Sequence, residues 1–249
     1  MSNRFLRKAE ASEIVQKLVT KAVLERNLVE DGDRILIAVS GGKDSTILSW
    51  ALSAIRQAVK KHYELQGIHI SSDFCSCCKK SDLAQRLAEW EIPFTDQFVP
   101  IIGRLKEGEK MNCYWCSTQR RAELLKYAVE NNFNKIALGH HLDDIIETFF
   151  MNMVNKGKLS AMPMFLSYRK YPVSLIRPLG YVEEQQIIVC AEEKNIFKAA
   201  ACTCPYGIYS QRRDIRLRIA DFTGNSSAVK RRILQSFSSG PIDMLTENA

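Results

Sequence analysis

The chain has 249 residues, of which 46% are apolar and 25% charged, so it can bury one sizeable core and is not the polar composition of a disordered chain. No stretch approaches the roughly 18 consecutive apolar residues of a membrane-spanning helix, and residues 1–27 alternate charge with apolar side chains where an export signal has an unbroken apolar segment. A soluble, cytoplasmic protein is the expectation, and its net charge of +7 suits either a polyanionic partner or a merely basic surface.

Residues 8–28 place apolar side chains at helical spacing and predict an N-terminal helix. Arg34–Ser40 (RILIAVS) is a short, β-branched apolar run between Asp31-Gly32-Asp33 and Gly41-Gly42, as expected of a strand buried on both faces. It runs into Ser40-Gly41-Gly42-Lys43-Asp44-Ser45, and Asp44–Lys61 follows at helical spacing. A strand-to-helix turn is where open α/β sheets bind ligands. Two glycines let the backbone approach a phosphate, successive amides and the helix N-terminus attract an anion, and Ser40, Lys43 and Ser45 add donors. The spacing is not the GxxxxGK pattern of γ-phosphate-hydrolysing loops. It resembles the SGGxDS PP-loop of ATP pyrophosphatases, which implies attack at the α-phosphate and release of pyrophosphate. Ser-Gly-Gly used for turn geometry alone is the bland alternative.

Further strand candidates are Leu65–Ser72, Thr95–Val99, Lys135–Gly139 and Ser174–Leu179, separated by helix-like segments. With the first they predict an α/β fold, doubly wound, with a mainly parallel five-stranded sheet and C-terminal helices. Cys113-Tyr114-Trp115-Cys116 has the spacing with which two thiolates reach one metal, a spacing that redox dithiols share, and it continues into a predicted helix bearing Arg120 and Arg121. Leu138-Gly139-His140-His141-Leu142-Asp143-Asp144 again joins a strand to a helix. Its carboxylates suit the helix N-terminus electrostatically, or they hold Mg²⁺ on a polyphosphate, or a neighbouring group takes a proton; the residues leave these roles open. Asn155–Tyr171, with Gly157 and Pro163, reads as a loop.

Eight cysteines without an export signal point to thiolates available for metal or redox chemistry. Cys190 falls on a predicted amphipathic helix and reads as a small core residue. Cys202-Thr203-Cys204-Pro205 can add a thiolate to Cys113 and Cys116, and a three-cysteine site leaves one iron position open, which favours a cluster over closed structural zinc. Cys75, Cys77 and Cys78 offer a four-thiolate zinc alternative with the same pair. From about residue 205 to 238 the chain reads as helical and basic, with Arg212, Arg213, Arg216, Arg218, Lys230, Arg231 and Arg232 forming either a solvated face or a nucleic-acid contact.

SGGKDS at 40–45, CYWCSTQRR at 113–121, ALGHHLDD at 137–144, IRPL at 176–179 and CTCPYG at 202–207 together resemble the tRNA 2-thiocytidine synthetase family, in the same order over roughly residues 8–235. The resemblance implies one PP-loop domain over residues 1–249, ATP and Mg²⁺, a 4Fe-4S cluster on three cysteines, and thiolation of a cytidine in the tRNA anticodon loop. It also implies a homodimer supplied with sulfur by a cysteine desulfurase or another donor, and no membrane partner. Carried residue by residue, it puts Ser40, Gly41, Gly42, Lys43, Asp44, Ser45, Gly139 and His140 on ATP. Lys43, Asp44, Asp143, Asp144 and Arg120 become catalytic residues. Cys113 and Cys116 are the cluster pair, and Cys204 is the third ligand by its distance from Gln211-Arg212, with Cys202 as the alternative. Arg120, Arg121, Arg212 and Arg213 contact RNA. The sequence departs from the family in Cys75-Ser76-Cys77-Cys78, where a cysteine-free loop is usual, and in the narrow Cys202-Thr203-Cys204 spacing. It lacks the paired CxxC modules of thiouridine synthetases, which tilts the substrate towards cytidine. The alternatives are a thiouridine or lysidine-type PP-loop enzyme, or a zinc-stabilised, non-catalytic RNA-binding module.

Overall fold

The computed structural model describes residues 10–74, 80–196 and 211–239. Strand β1 (Asp33–Ala38) turns Ile35 and Ile37 into one apolar cluster and Leu36 into another, all three fully buried. A strand covered on both faces needs apolar residues at successive positions, and this segment has them. β1 pairs in parallel with β2 (Tyr63–Ser72) on one side and with β4 (Lys135–Ala137) on the other. β3 (Phe94–Val99) pairs with β2, and β6 (Ser174–Ile176) with β4, both in parallel. β5 (Phe165–Ser167) closes the far edge antiparallel to β6, giving the six-stranded order β3-β2-β1-β4-β6-β5.

The expected five-stranded sheet is therefore one strand short. β5 lies within Asn155–Tyr171, which was expected to be a loop, and its three residues are too few to show a period of two. Three strands also stop earlier than expected, at Ala38, Ala137 and Ile176, so that the glycine-rich turns and Pro178 lie beyond them. Pro178 has no N–H for the ladder and opens a single 3₁₀ turn, Pro178–Tyr181. The expected helix over Asp44–Lys61 divides at Ile55 into α2 (Lys43–Ala54) and α3 (Arg56–Val59), the second ending at Lys60 in the left-handed region with φ 51°.

One face of the sheet is covered by α1 (Ala11–Glu25), α2, α4 (Lys80–Ala88) and α7 (Glu184–Glu193), through Val15, Val19, Leu48, Leu87 and Ile187. The other is covered by α5 (Cys113–Glu130), through Leu125 and Ala128 against Leu36, Ile68 and Ile136. α6 (Leu142–Lys156) carries the C-terminal pair α8 (Gln211–Thr223) and α9 (Ser227–Ser239) on Leu142, Ile146 and Ile219. No described helix is long and apolar enough to cross a membrane.

From β1 the chain passes outward to β2 and β3, then returns to β4 on the opposite side. The carboxyl ends of β1 and β4 consequently flank the reversal point where open sheets hold ligands. At the opposite edge, Lys135 Nζ lies 2.7 Å from Asp33 Oδ2, both residues being buried, and Asn134 Nδ2 donates to Asp33 Oδ1 at 2.7 Å. Lys135→Met strands that carboxylate, and a buried charge stripped of its partner costs about 3–5 kcal/mol. The urea midpoint of the variant should fall with an unchanged slope; an unmoved midpoint would show that the pair does not anchor β1 to β4.

Candidate active site

The turn after β1 is held by its own hydroxyls. Ser40 N donates to Ser45 Oγ at 3.1 Å, the two hydroxyls lie 3.1 Å apart, and Ser45 Oγ donates to the Gly42 carbonyl at 3.1 Å. Gly41 has φ 84°, a conformation that side chains disfavour. Gly42 is the N-cap of α2 and supplies no side-chain acceptor, so the first amides of α2 are offered to an anion. The turn after β4 lies directly on this helix start. A Cβ on Gly139 would stand 3.0 Å from Ser45 N, 3.1 Å from Ser45 Cα and 3.2 Å from the Asp44 carbonyl carbon, all of them backbone atoms. Glycine is thus required for the two motifs to meet.

Lys43 Nζ lies 3.1 Å from Asp44 Oδ1 and 2.9 Å from Glu184 Oε1. Burial pulls its ammonium down, but Glu184 and Asp44 outweigh that and hold it above the usual lysine range. Glu184 Oε2 continues to Arg216 Nη1 at 3.3 Å, and Arg216 Nε to the buried Glu147 Oε1 at 2.6 Å. Charges of alternating sign thus link the nucleotide loop to the C-terminal helices. Glu184, Arg216 and Glu147 border a cavity of about 530 Å³, with Asp143 and Lys230 also on its wall.

The paired aspartates divide their work. Asp144 Oδ2 accepts from His141 N at 3.1 Å at the start of α6. Asp143 accepts from Lys230 Nζ at 2.6 Å through Oδ1 and from the Glu184 amide at 2.7 Å through Oδ2. Burial raises its carboxyl, yet Lys230, that amide and His141 bring it below the ordinary aspartate value. Asp143 thereby ties α6 to α7 and α9. Asp44 Oδ1 is buried and accepts no hydrogen bond among the described residues, its nearest partner being the Lys43 ammonium at 3.1 Å, and such an oxygen can ligate a hard cation.

The cysteine pair opens α5. Asn112 caps the helix by accepting from Trp115 N at 2.8 Å, and Trp115 Nε1 donates to the Ile101 carbonyl at 3.1 Å. Cys113 is exposed and Cys116 half-buried, and their i, i+3 spacing puts both on one face at the positive end of the helix, an arrangement that favours thiolates. Arg120, one turn further on, is half-buried, and its Nε has no hydrogen bond among the described residues. Cys75, Cys77, Cys78, Cys202 and Cys204 lie outside the described residues, as do the side chains of Arg212 and Arg213. Cys190 is fully buried in α7, and burial, reinforced by Glu193, pushes its thiol up to about 12, as befits a core residue.

Sequence reasoning missed Glu184, Glu147 and Arg177. Arg177 stood in the IRPL segment without a role, while Glu184 had no motif to mark it. Arg216 and Lys230 had been read as a solvated or nucleic-acid-binding face, yet both are in ion pairs with buried or partly buried carboxylates.

A parallel sheet with a phosphate-binding turn at its reversal point, backed by the turn of a second strand, defines a nucleotide-binding PP-loop fold, and residues 10–203 match the family model described as the PP-loop domain. The tRNA-cytidine(32) 2-sulfurtransferase of Geobacter sulfurreducens is 36% identical over 227 residues, covering 89% of this chain and 88% of the relative. The enzyme of the same name from Geobacter metallireducens is 35% identical, covering 88% and 86%. The chain belongs to the tRNA-cytidine(32) 2-sulfurtransferase family. Among solved structures, the U34-tRNA thiolase NcsA from Methanococcus maripaludis with its 4Fe-4S cluster shares the fold at TM-score 0.76 and 22% identity, over 92% of this chain and 78% of that one. An NMN synthetase from Francisella tularensis aligns at TM-score 0.55 and 15% identity, over 97% of this chain and 98% of that one.

Two substitutions probe the meeting of the turns. Gly139→Ala pushes backbone against backbone and should weaken ATP binding at least tenfold, read by calorimetry, with a small change in melting temperature; unimpaired binding would separate the two turns functionally. Glu184→Gln releases Lys43 from a competing carboxylate. A partly exposed ion pair contributes at most about 1 kcal/mol, so ATP should bind up to about fivefold more tightly. Weaker binding would make Glu184 a scaffold for Lys43 and not its competitor.

Proposed function

We propose that this chain thiolates a cytidine of tRNA in an ATP-dependent reaction, adenylating the C2 oxygen and then replacing it with sulfur. The observation that carries this reading is the contact of Gly139 with the start of α2, which joins the phosphate turn to the His140–Asp144 segment at one sheet edge. The names of the relatives specify cytidine 32, and we take that position as the target. The reading treats the chain as a single PP-loop domain that works as a cytoplasmic homodimer, with tRNA as substrate and a cysteine desulfurase or another sulfur donor as partner.

A C2 carbonyl oxygen is a poor leaving group. In the first step it attacks the α-phosphorus of ATP, an O–P bond forms, the α–β phosphoanhydride breaks, and pyrophosphate leaves. The amides of Gly41 and Gly42, the start of α2 and Lys43 neutralise the charge that develops on the phosphates, Lys43 exchanging Glu184 for a phosphate oxygen. Asp44 would hold a Mg²⁺, which when bound would screen the polyphosphate. In the second step a sulfur nucleophile attacks C2, the C2–O bond breaks, and AMP departs with the original oxygen. Cys113, Cys116 and Cys204, with Cys202 as the alternative third ligand, would hold a 4Fe-4S cluster, which with three cysteine ligands would leave one iron open to the sulfur that is transferred. Asn112 keeps the first turn of α5 wound, so that Cys113 and Cys116 hold their spacing. Arg120, Arg121, Arg212 and Arg213 meet the phosphates of the tRNA.

The test separates the two steps. Cys113→Ala and Cys116→Ala should each abolish 2-thiocytidine, measured by mass spectrometry of digested tRNA, while tRNA-dependent pyrophosphate release continues. Lys43→Ala should stop that release. Protein purified without oxygen should carry about four irons and four acid-labile sulfides per chain. Stoichiometric zinc without sulfide, or thiolation by either cysteine variant, would overturn the role of the cluster. Tight tRNA binding with no pyrophosphate formed would leave a non-catalytic RNA-binding module.

A further inference from the structure

The first two turns of α5 divide between core and solvent. Trp115, Cys116, Gln119 and Arg120 are half-buried, whereas Cys113, Tyr114, Ser117, Thr118 and Arg121 are exposed, as a helix of 3.6 residues per turn requires. Trp115 sets that rotation: it packs on the apolar cluster beneath the helix, and its indole N–H donates to the Ile101 carbonyl at 3.1 Å. Its neighbour Tyr114 is thereby held outward and is 82% exposed, more than any other large apolar side chain among the described residues. The helix carries no acidic residue before Glu123, and that carboxylate is tied to Arg104 at 2.6 Å.

A tyrosine left in water forgoes the apolar burial for which a fold uses aromatic side chains, and alanine would wind this turn better. What the ring can still do is offer its face to another molecule. The face of a nucleobase is the matching partner: bases of an unpaired loop can be splayed out and laid on aromatic rings, while a nearby cation takes a phosphate of the same strand. Arg121 lies seven residues beyond Tyr114, nearly two turns, on the same side of α5 and about 10 Å along its axis. A protein partner would call for an apolar patch round the ring, but the next exposed large apolar side chain of α5 is Val129, fifteen residues on. An anionic strand, by contrast, meets no acid on this face and gains from the positive end of the helix.

We propose that Tyr114 is a stacking platform for an unpaired tRNA base next to the cytidine that receives sulfur, with Arg121 on a phosphodiester of that strand. This rests on the thiolation reading above and adds to it the residue that holds the loop open beside the cysteines. Successive residues of a helix are rotated by about 100°, so the ring stands beside Cys113 and not over it. A base stacked there leaves the neighbouring base to face the thiols.

The test pairs protein variants with abasic RNA. Filter binding gives the Kd of a tRNA anticodon stem-loop, intact or with an abasic site at each loop position in turn, for wild type, Tyr114→Phe and Tyr114→Ala. Iron content and the visible spectrum check that the cysteine site is loaded equally in all three. Tyr114→Ala should weaken binding of the intact loop about tenfold with an unchanged salt slope, since stacking releases no counterions, and Tyr114→Phe should bind as wild type does. One abasic position should weaken wild type by the same factor and cost Tyr114→Ala nothing further. Wild-type affinity in Tyr114→Ala, or an alanine loss that couples to no loop position, would overturn the platform. An alanine variant that binds the loop normally but sediments as a smaller assembly would assign the ring to a protein interface and overturn it too. A wild type indifferent to every abasic position would do so without any variant. Wild-type protein that makes no 2-thiocytidine defeats the thiolation reading; wild-type thiolation without coupling between ring and base defeats the platform alone.

Discussion

Two polypeptide turns from strands about a hundred residues apart touch through main-chain atoms, and the chemistry proposed for this molecule depends on that contact. The amides after β1 present a cradle for phosphate, but a cradle alone has no acceptor group to activate. The β4 turn meets the cradle at Gly139, which leaves room for Ser45, and the histidines and carboxylates follow in the next residues of the chain. Both turns are stiffened from beneath by strands buried on two faces. The reacting groups therefore inherit their spacing from the sheet, whose geometry is the least deformable part of the fold.

The C-terminal helices are joined to this centre by charge as well as by apolar packing. Leu142, Ile146 and Ile219 supply the dry contact, while Glu184, Arg216, Glu147, Asp143 and Lys230 supply a directional one. The position of α8 is thus recorded at Lys43, one carboxylate away from the phosphate loop. Lys43 and Arg216 stand on opposite sides of Glu184 in one short chain of ions.

Much of the fold was legible because it is locally encoded. Buried parallel strands are continuous apolar runs, and RILIAVS is one; SGGKDS and GHHLDD occupy consecutive positions at strand ends, so their placement follows from the strands. The missing strand was the antiparallel edge, where three residues cannot display a period. The role of Asp143 was not legible for a different reason. Its partners, Lys230 and the Glu184 amide, are 87 and 41 residues away, and Glu184 meets Lys43 across 141. A residue's type says that it can bind a metal or a proton, but only its neighbours say whether its lone pairs are already spent. Arg177 shows the same limit. Its partners, His140 and the Pro163 carbonyl, lie 37 and 14 residues away, and no pattern along the chain records them.

The two ends of α5 have unequal surroundings. Leu125 and Ala128, near its C-terminus, are embedded in the core, whereas Cys113, at its first position, is exposed on a turn that Asn112 caps through Trp115 N. A cluster held by this pair, as proposed, would therefore sit on a helix that the core already fixes, unlike the metal of a zinc finger, whose folding waits for it. Loss of that cluster to oxygen would then leave the packing of Leu125 and Ala128 untouched, and the polypeptide could be recharged without being refolded.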